Sequence, residues 1–379
     1  MNFRKYIPSS LKSFIRFLYY KQERERRFSN FLVRKKQDKA IAKLDLQARK
    51  LIVFIVPGLI WETGIEPING GVMSVVSLCD ETIKLKEIHN AEVILCTHSS
   101  DGLLLKFKNF NNSIPVFRIG QLICFDKAEQ VMIHVPEYMI ATFWSTLQAR
   151  ENSWLQQRDV HYNILNQSIQ LMPPLKVIRQ LESGRNKVTI TTAHARYCNP
   201  YYREYYKVAL HKFSTWVSPE QYYFKNISEK DNLMVVSPDP HAEKEHVLHR
   251  LRQVQGLTVI IIENLSYEQY KQLIARAKWT LTFGEGLDGY LVEPIFSGAV
   301  GFAVYNDDFF TNDFANWQTL YKSTEELSNR IVSDICKLDP AENFIPYQQQ
   351  QFALCAKYYS KKEYKANIAS FYRKEYTYA

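Results

Sequence analysis

The sequence contains little cysteine, and none of it has the spacing of a metal site or a disulfide framework. Its 379 residues include six cysteines, which are scattered along the chain without a C-x-x-C pair. This pattern argues against a disulfide-stapled fold and a zinc site, and it favours a reducing compartment. His241, His246 and His249 lie close together, but no fourth ligand is spaced with them. We therefore expect a solvated helix face there and no metal.

Long hydrophobic runs are also missing. No stretch is long and apolar enough to span a bilayer, and the start of the chain has no signal-peptide core. Hydrophobic residues make up 46% of the sequence and charged residues 23%, which is typical of a folded globular protein. The length is sufficient for two domains. We expect a cytoplasmic protein.

Positive charge is scarce outside the N-terminal segment. The net charge is +9, but residues 1–50 contain 15 Lys and Arg against 4 Asp and Glu. The other 329 residues contain 33 Lys and Arg against 35 Asp and Glu, so the body is nearly neutral. A body that binds nucleic acid would need a basic face of its own. We therefore expect no nucleic-acid partner.

The N-terminal arm, residues 1–48, is predicted to be helical, basic and amphipathic. Five apolar side chains fall near one helical face: Ile7, Leu11, Phe14, Ile15 and Leu18. A basic helix of this kind can lie in the headgroup region of an anionic membrane. We therefore predict peripheral binding to the inner face of the cell membrane through residues 1–45. The alternative is that the arm packs on the body or on a second copy of the chain.

Strand and helix patterns alternate through the rest of the sequence. The buried-strand run Leu51 to Val56 is followed by the pair Gly70 and Gly71 and a helix, and a second series of this kind begins at Leu233. Such alternation predicts α/β domains with parallel sheets. We predict two Rossmann-like domains facing across a cleft. The predicted boundaries are 49–225, 226–345 and, for C-terminal helices, 346–379.

The most informative stretch is residues 284–294. Gly284, Gly286 and Gly289 lie between a strand and a short helix, where free backbone N–H groups and the helix dipole favour an anion. Glu293, on that helix, can accept two hydrogen bonds from a diol. A phosphate beside a diol describes a nucleotide ribose. Neither half has a dinucleotide or Walker glycine motif in its usual place after a first strand.

This stretch resembles the E-x7-E signature of retaining GT-B glycosyltransferases, with Glu285 and Glu293 as the two glutamates. The order of elements over residues 50–345 is similar to that of the family, which has a last helix that crosses back to the first domain. The form from Glu285 to Pro294 also resembles a bacterial subset that builds surface polysaccharides, including rhamnosyltransferases. The resemblance implies transfer of a sugar, with retention, from a nucleotide-diphosphate sugar to a saccharide or lipid-linked acceptor. It implies no metal and no further cofactor.

The resemblance also implies individual roles, with 49–225 as the acceptor domain and 226–345 as the nucleotide-sugar domain. Catalysis would fall to Glu285, His194 and Lys244, and Glu293 would hold the ribose hydroxyls. The other expected contacts to the nucleotide sugar are Gly284, Gly286, Leu287, Asp288, Gly289, Tyr290, Ser237, Asn264, Leu265, Gly70 and Gly71. His134 and Glu137 would face the acceptor.

One departure from the family keeps alternatives open. Such enzymes carry a basic pair after the first strand of the second domain, but here the Arg is absent and Lys244 is the best remaining cation. The chain could therefore be a non-catalytic saccharide- or nucleotide-binding partner in a polysaccharide assembly complex. Glu285 and Glu293 could also serve two-carboxylate glycoside hydrolysis. Carboxylates in a phosphate-binding turn and its helix suit nucleotide recognition better.

Overall fold

The computed structural model describes residues 21–59, 66, 69–98, 103–110, 113–182, 184, 186–218 and 220–379. The predicted amphipathic stretch from Ile7 to Leu18 lies outside the described residues. Within them, no helix is both long and apolar enough to cross a membrane.

The first half contains a seven-stranded parallel sheet in the order β3-β2-β1-β4-β5-β6-β7. The strands are β1 (Lys50–Val56), β2 (Glu92–Thr97), β3 (Val116–Arg118), β4 (Gln130–Pro136), β5 (Asp159–Asn166), β6 (Lys187–Thr192) and β7 (Ala209–Lys212). Along β1, Ile52 and Phe54 belong to one hydrophobic core while Val53 and Ile55 belong to another. Both faces of the sheet are therefore covered, which explains why β1 is a continuous apolar run.

Helices cover this sheet. They are α1 (Lys21–Ile41), α2 (Gly70–Ile83), α3 (Lys86–His89), α4 (Glu137–Phe143), α5 (Ala149–Gln156), α6 (Leu175–Leu181) and α7 (Pro200–Tyr206). Sequence periodicity predicts one helix over residues 138–150. The structure instead has α4 and α5, separated by a short 3-10 turn at Trp144–Thr146.

The second half contains a five-stranded parallel sheet in the order β12-β11-β10-β8-β9. Its strands are β8 (Asp231–Val236), β9 (Thr258–Ile261), β10 (Ala277–Leu281), β11 (Val300–Val304) and β12 (Leu320–Tyr321). Its helices are α8 (Lys244–Arg252), α9 (Tyr267–Arg276), α10 (Gly289–Phe296) and α11 (Thr324–Leu338). The predicted α/β fold with two parallel-sheet domains is confirmed.

Two C-terminal helices, α12 (Ala341–Tyr359) and α13 (Lys361–Tyr372), join the halves. On α12, the buried Gln351 accepts from the Gly301 amide and donates to the Gly301 carbonyl, which fixes this helix to the second half. On α13, the Tyr372 hydroxyl is bonded to Thr82 of the first half. The chain thus crosses back to the first half. Residue 346, the boundary predicted from sequence, lies inside α12 because the helix continues through Pro346.

The helix described in the arm, α1, ends at Ile41, and residues 42–48, which are included in the predicted helical arm, form turns and bends. Its C-terminal end is docked on the body: the Gln37 amide donates to the Leu104 and Val116 carbonyls, and Asp38 pairs with Arg118 at 2.5 Å. Nearer the N-terminus, Phe28, Phe31 and Leu32 are exposed. One end of α1 is therefore anchored, while the other presents apolar side chains to solvent.

Candidate active site

A cleft of about 870 Å³ separates the two sheets. Most of its lining comes from the segments that follow β1, β4, β5 and β6 in the first half and β8, β9 and β10 in the second. All of these segments leave the carboxyl ends of parallel strands, where ligands bind in open α/β sheets. The cleft is therefore the candidate site for ligand binding between the two halves.

The glycine-rich turn after β10 is held by close contacts. Gly286 has a φ of +86°, and a Cβ there would lie 2.7 Å from the Val304 carbonyl, so glycine is required. Asp288 caps α10: its carboxylate accepts from the Leu291 amide at 3.1 Å and from the Thr282 hydroxyl at 2.8 Å. Burial raises the pKa of Asp288 to about 7. The turn thus directs the start of α10 toward the cleft.

Glu293 lies one turn into α10, at the cleft wall. It is only 5% exposed, and its Oε2 accepts a hydrogen bond from the Tyr267 hydroxyl at 3.0 Å. A Cβ on Gly289 would lie 2.9 Å from its Oε1, so a larger residue there would collide with the carboxyl. Burial raises the pKa of Glu293 to about 8. This carboxyl is positioned by Tyr267 and is costly to keep charged without a ligand.

Glu285 and Glu137 come from opposite halves and influence each other. Burial raises the pKa of Glu285 to about 7, and the negative charges of Glu137 and Asp239 add to this effect. Glu137, which begins α4, is 2% exposed, and burial raises its pKa to about 7. Its Oε1 accepts from the Ser168 amide at 3.0 Å, and its Oε2 has no partner among the described residues. Two carboxyls from opposite halves therefore line the same cleft, and each has a pKa of about 7.

His194 follows β6 and lines the cleft. Its Nδ1 lies 3.1 Å from the Tyr359 hydroxyl of α12, and its ring packs edge-on against Phe309 with centroids 5.3 Å apart. Burial lowers the pKa of His194 to about 4. The imidazole is therefore neutral near pH 7 and can exchange a hydrogen bond with a ligand, but it supplies no positive charge.

The expectation that His134 faces an acceptor is wrong. The residue is fully buried inside β4, where its ring stacks on Phe54 with centroids 4.3 Å apart. Asn163 donates to its Nδ1 at 2.9 Å, and its Nε2 is bonded to the Tyr372 hydroxyl at 3.1 Å. Burial lowers its pKa well below the usual value. His134 is a hydrogen-bonded core residue because β4 continues two residues beyond it.

Lys244 is not a cation of the cleft, contrary to expectation. It is 8% exposed, and its ammonium donates to the Ser237 carbonyl at 2.7 Å and to the Asp239 carbonyl at 3.0 Å. Its charge therefore stabilises the loop after β8. Ser237 and Gly286 are also not among the residues that line the cleft. The Ser237 hydroxyl accepts a hydrogen bond from the Phe283 amide at 3.0 Å.

The remaining predicted residues do line the cleft. They are Glu285, His194, Glu293, Gly284, Leu287, Asp288, Gly289, Tyr290, Asn264, Leu265, Gly70, Gly71 and Glu137. Gly71 is tightly enclosed, since Gln167 donates to its carbonyl at 3.1 Å and a Cβ would collide with the Gln167 side chain. Gly70 has open space around it.

Sequence reasoning missed an aromatic wall and two acids, Asp239 and Glu263. Tyr222 stacks on Phe296 with ring centroids 5.9 Å apart, Trp216 packs against both, and all three line the cleft. Asp239, in the loop after β8, also lines it. The aromatic residues come from the segment between the halves and from α10, so no local spacing connects them. Asp239 lies in the loop after β8, where the family carries the Arg that is missing here, so inspection of that loop in the sequence could have identified it.

The cleft has a strongly acidic lining. Six acidic side chains contribute to it: Glu137, Asp239, Glu263, Glu285, Asp288 and Glu293. None of the described residues that line it is Lys or Arg. In the part of the chain that is described, no three His, Cys, Asp or Glu side chains are arranged to hold a metal ion by themselves. The lining alone is therefore unfavourable for an anion.

Comparison of the sequence with known proteins finds no relative. No family model matches the chain. No curated protein matches it either.

Comparison of the fold does find relatives. A sucrose-phosphate synthase from Thermosynechococcus elongatus aligns with a TM-score of 0.55 at 9% identity, covering 86% of this chain and 99% of that one. HepE from Anabaena, solved with UDP and glucose, aligns at 0.50 and 11% identity, covering 84% and 98%. A putative UDP-N-acetylglucosamine 2-epimerase from Listeria monocytogenes aligns at 0.52 and 10% identity, covering 86% and 96%. At these identities the likeness concerns the fold, and the chain has the two-domain GT-B fold that its motif implies.

Proposed function

We propose that the chain is a glycosyltransferase that moves a sugar, with retention, from a nucleotide-diphosphate sugar to a saccharide or lipid-linked saccharide in bacterial surface polysaccharide synthesis. The observation that carries the proposal is Glu293: a buried carboxyl at the cleft wall, held by Tyr267, on a helix whose N-terminus faces the same cleft. This arrangement suits a ribose diol beside a diphosphate. The neighbour HepE, solved with UDP and glucose, supports this substrate class.

The cleft offers a separate surface for each part of such a donor. The ribose hydroxyls would donate to Glu293, whose second oxygen already accepts from Tyr267. The aromatic residues Tyr222 and Phe296 provide flat apolar surface for a ring. Glu285 and His194, which approach from opposite halves, would contact the transferred sugar and the acceptor.

Transfer requires the bond between the sugar's anomeric carbon and a phosphate oxygen to break. Negative charge then develops on the departing diphosphate, and the first amides of α10, at Gly289 and Tyr290, have no partner one turn earlier in the helix. If the acceptor hydroxyl attacks from the face that the diphosphate leaves, a phosphate oxygen can take its proton. The configuration is then retained without a protein nucleophile.

The decisive experiment has two parts. Thermal melting with UDP, GDP, dTDP and CMP and their sugar derivatives identifies the donor, because a ligand that binds only the folded state raises the melting temperature. Release of nucleotide diphosphate from that donor, with and without acceptor saccharides, then measures turnover. An isomerised nucleotide sugar instead of free nucleotide would indicate an epimerase, the activity named for one structural neighbour.

The acidic lining favours one alternative, a non-catalytic saccharide- or nucleotide-binding partner in an assembly complex. With no Lys or Arg among the described lining residues, the departing diphosphate has no protein cation to neutralise it. Binding of a nucleotide sugar without even slow release of nucleotide would support this alternative.

A further inference from the structure

The two halves of the molecule meet at the start of α9, beside the cleft. Tyr267 is the first residue of this helix, so its backbone amide cannot bond within the helix itself. The amide donates instead to the Asn109 carbonyl of the first half at 3.1 Å. The Tyr267 ring also packs edge-on against Phe110, with centroids 5.1 Å apart and an interplanar angle of 82°. A backbone contact and a ring contact from the first half therefore hold the same residue.

Tyr267 also carries the hydroxyl that holds Glu293. This hydroxyl donates to Oε2 of Glu293 at 3.0 Å, and both side chains line the cleft. Phe110 is 2% exposed and belongs to the same hydrophobic core cluster as Tyr267. Because a tyrosine side chain has few preferred rotamers, contacts that fix its ring also fix where its hydroxyl lies. A ring of the first half thus acts, through Tyr267, on a carboxyl of the second half.

The segment that supplies these contacts, residues 103–110, is itself anchored in the first half. The Val116 amide, at the start of β3, donates to the Leu105 carbonyl at 2.8 Å. The Lys108 amide donates to both carboxylate oxygens of Glu66, at 3.1 and 3.0 Å. Phe107 is buried, with 1% of its surface exposed. The contacts to Tyr267 therefore come from a segment that the rest of the first half holds in place.

We propose that Phe110 and the Asn109 carbonyl are positioning groups for nucleotide recognition: they hold Tyr267, which keeps the Glu293 carboxyl in place for the ribose hydroxyls. Phe110 does this without touching the nucleotide. The inference rests on the proposed function, in which Glu293 accepts hydrogen bonds from the ribose. It adds that the first half contributes to donor recognition, so the strength of ribose binding depends on the contact between the halves.

The test is whether loss of the ring contact affects the ribose in particular. UDP, GDP and dTDP, and the 2′,3′-dideoxy form of each, are titrated calorimetrically into the full chain. The wild type should bind one of these nucleotides at least about tenfold more tightly than its dideoxy form, since hydrogen bonds to a carboxylate are strong. Phe110→Leu should reduce this ratio of affinities by about threefold or more, and Tyr267→Phe, which removes the hydroxyl, by at least as much. A purely structural loosening weakens both forms equally and leaves the ratio unchanged.

Phe107→Leu, the same substitution at another buried position of the segment, is the matched control and should not change the ratio. Cooperative melting shows that each variant is folded, and Phe110→Met answers the same question if Phe110→Leu does not fold. In the Tyr267→Phe background, Phe110→Leu should lower the ratio no further, because the two residues act through one series of contacts.

The possible failures of the inference and of the proposed function differ. An unchanged ratio in the folded Phe110 variant, or a further fall in the double variant, overturns the inference and leaves the proposed function intact. A wild type that binds the natural and dideoxy forms of every nucleotide equally, or binds none of them, contradicts the role of Glu293 and with it both the inference and the proposed function.

Discussion

At the scale of single residues, Glu293 links stability to pH. Its carboxyl has an ordinary pKa of 4.5, and burial raises this to about 8 in the folded protein. The folded state therefore binds the proton more tightly than the unfolded state. The stabilisation is fully present below about pH 4.5 and is lost as the pH rises through the folded pKa of about 8.

Glu293→Gln should consequently stabilise the protein at high pH. We expect a free energy of unfolding close to that of the wild type near pH 5 and higher by on the order of a few kcal/mol at pH 8, because the amide cannot ionise. Denaturant unfolding at the two pH values measures this difference. A gain that is the same at both pH values would contradict the role of ionisation. Glu325→Gln serves as the exposed control.

Glu293→Ala tests the same residue for function. If the carboxylate holds the ribose, this variant should lose nucleotide-sugar turnover while retaining a cooperative melting transition, because α10 and its cap at Asp288 are intact. The measurement is nucleotide release at saturating donor, with melting as the folding control. Full activity in a folded variant would remove Glu293 from the site.

Gly286→Ala probes the geometry of the turn. With φ at +86° and the Val304 carbonyl 2.7 Å from the added Cβ, the substitution should cost about 1–3 kcal/mol of stability. Gly70→Ala is a suitable control, since it meets no atom within 4 Å at the start of a helix, and it should be neutral or stabilising by about 0.5 kcal/mol. Equal effects of the two alanines on denaturant unfolding would show that the turn relaxes without strain.

At the scale of secondary structure, agreement between sequence and structure depends on how local the signal is. The apolar runs that predict β1 and β8 are visible in the sequence because both faces of those strands are buried. β7 is not predicted from the sequence, since Ala209–Lys212 is short; it pairs in parallel with β6, and Leu210 also bridges to Tyr378. Pairing with segments that are distant in sequence leaves no local periodicity from which β7 could be predicted.

The same distinction applies to the site. Glu285 and Glu293 could be predicted because one turn and one helix carry both. Tyr267, which holds Glu293, lies on α9, 26 residues away in sequence, and only the packing of α9 against α10 brings it there. His134 was misplaced because a histidine near a strand end looks the same in sequence whether it faces a cleft or, as here, the ring of Phe54.

The attachment of α12 to the second half can be tested through Gln351. Gln351→Met leaves the amide and carbonyl of Gly301 without their side-chain partner in a buried place, so we expect a loss of about 2–4 kcal/mol in the free energy of unfolding. Gln350→Met, at the neighbouring exposed position, should change stability by less than about 0.5 kcal/mol. Similar results for the two variants would show that α12 is held by its apolar contacts alone.

At the scale of the whole molecule, charge and exposed apolar surface coincide at the arm. Residues 1–50 carry the excess of Lys and Arg, and Phe28 and Phe31 on α1 are 63% and 50% exposed. The Gln37 amide bonds the other end of α1 to the body through the Leu104 carbonyl. The basic residues and the exposed rings both suit the predicted contact with an anionic membrane.

Phe28→Ser combined with Phe31→Ser should weaken sedimentation with phosphatidylglycerol vesicles by about tenfold or more, because each inserted ring contributes apolar burial. Added salt should weaken the remainder, since it screens the basic residues. The exposed pair Tyr201→Ser and Tyr205→Ser on α7 is the control. Unchanged vesicle binding by the phenylalanine variant would contradict membrane contact through α1.

The chain passes between the two halves twice, and these two connections influence how the cleft can open and close. One connection is the segment of residues 213–230, and the other is Ser360, which ends α12 and begins α13. A body attached at two points rotates most easily about the line that joins them, and sliding or twisting strains both attachments. Rotation of the halves about this line would strain the two covalent connections least. Such a rotation would change the separation of Glu137 and Glu285 and, with it, the repulsion between these two carboxyls.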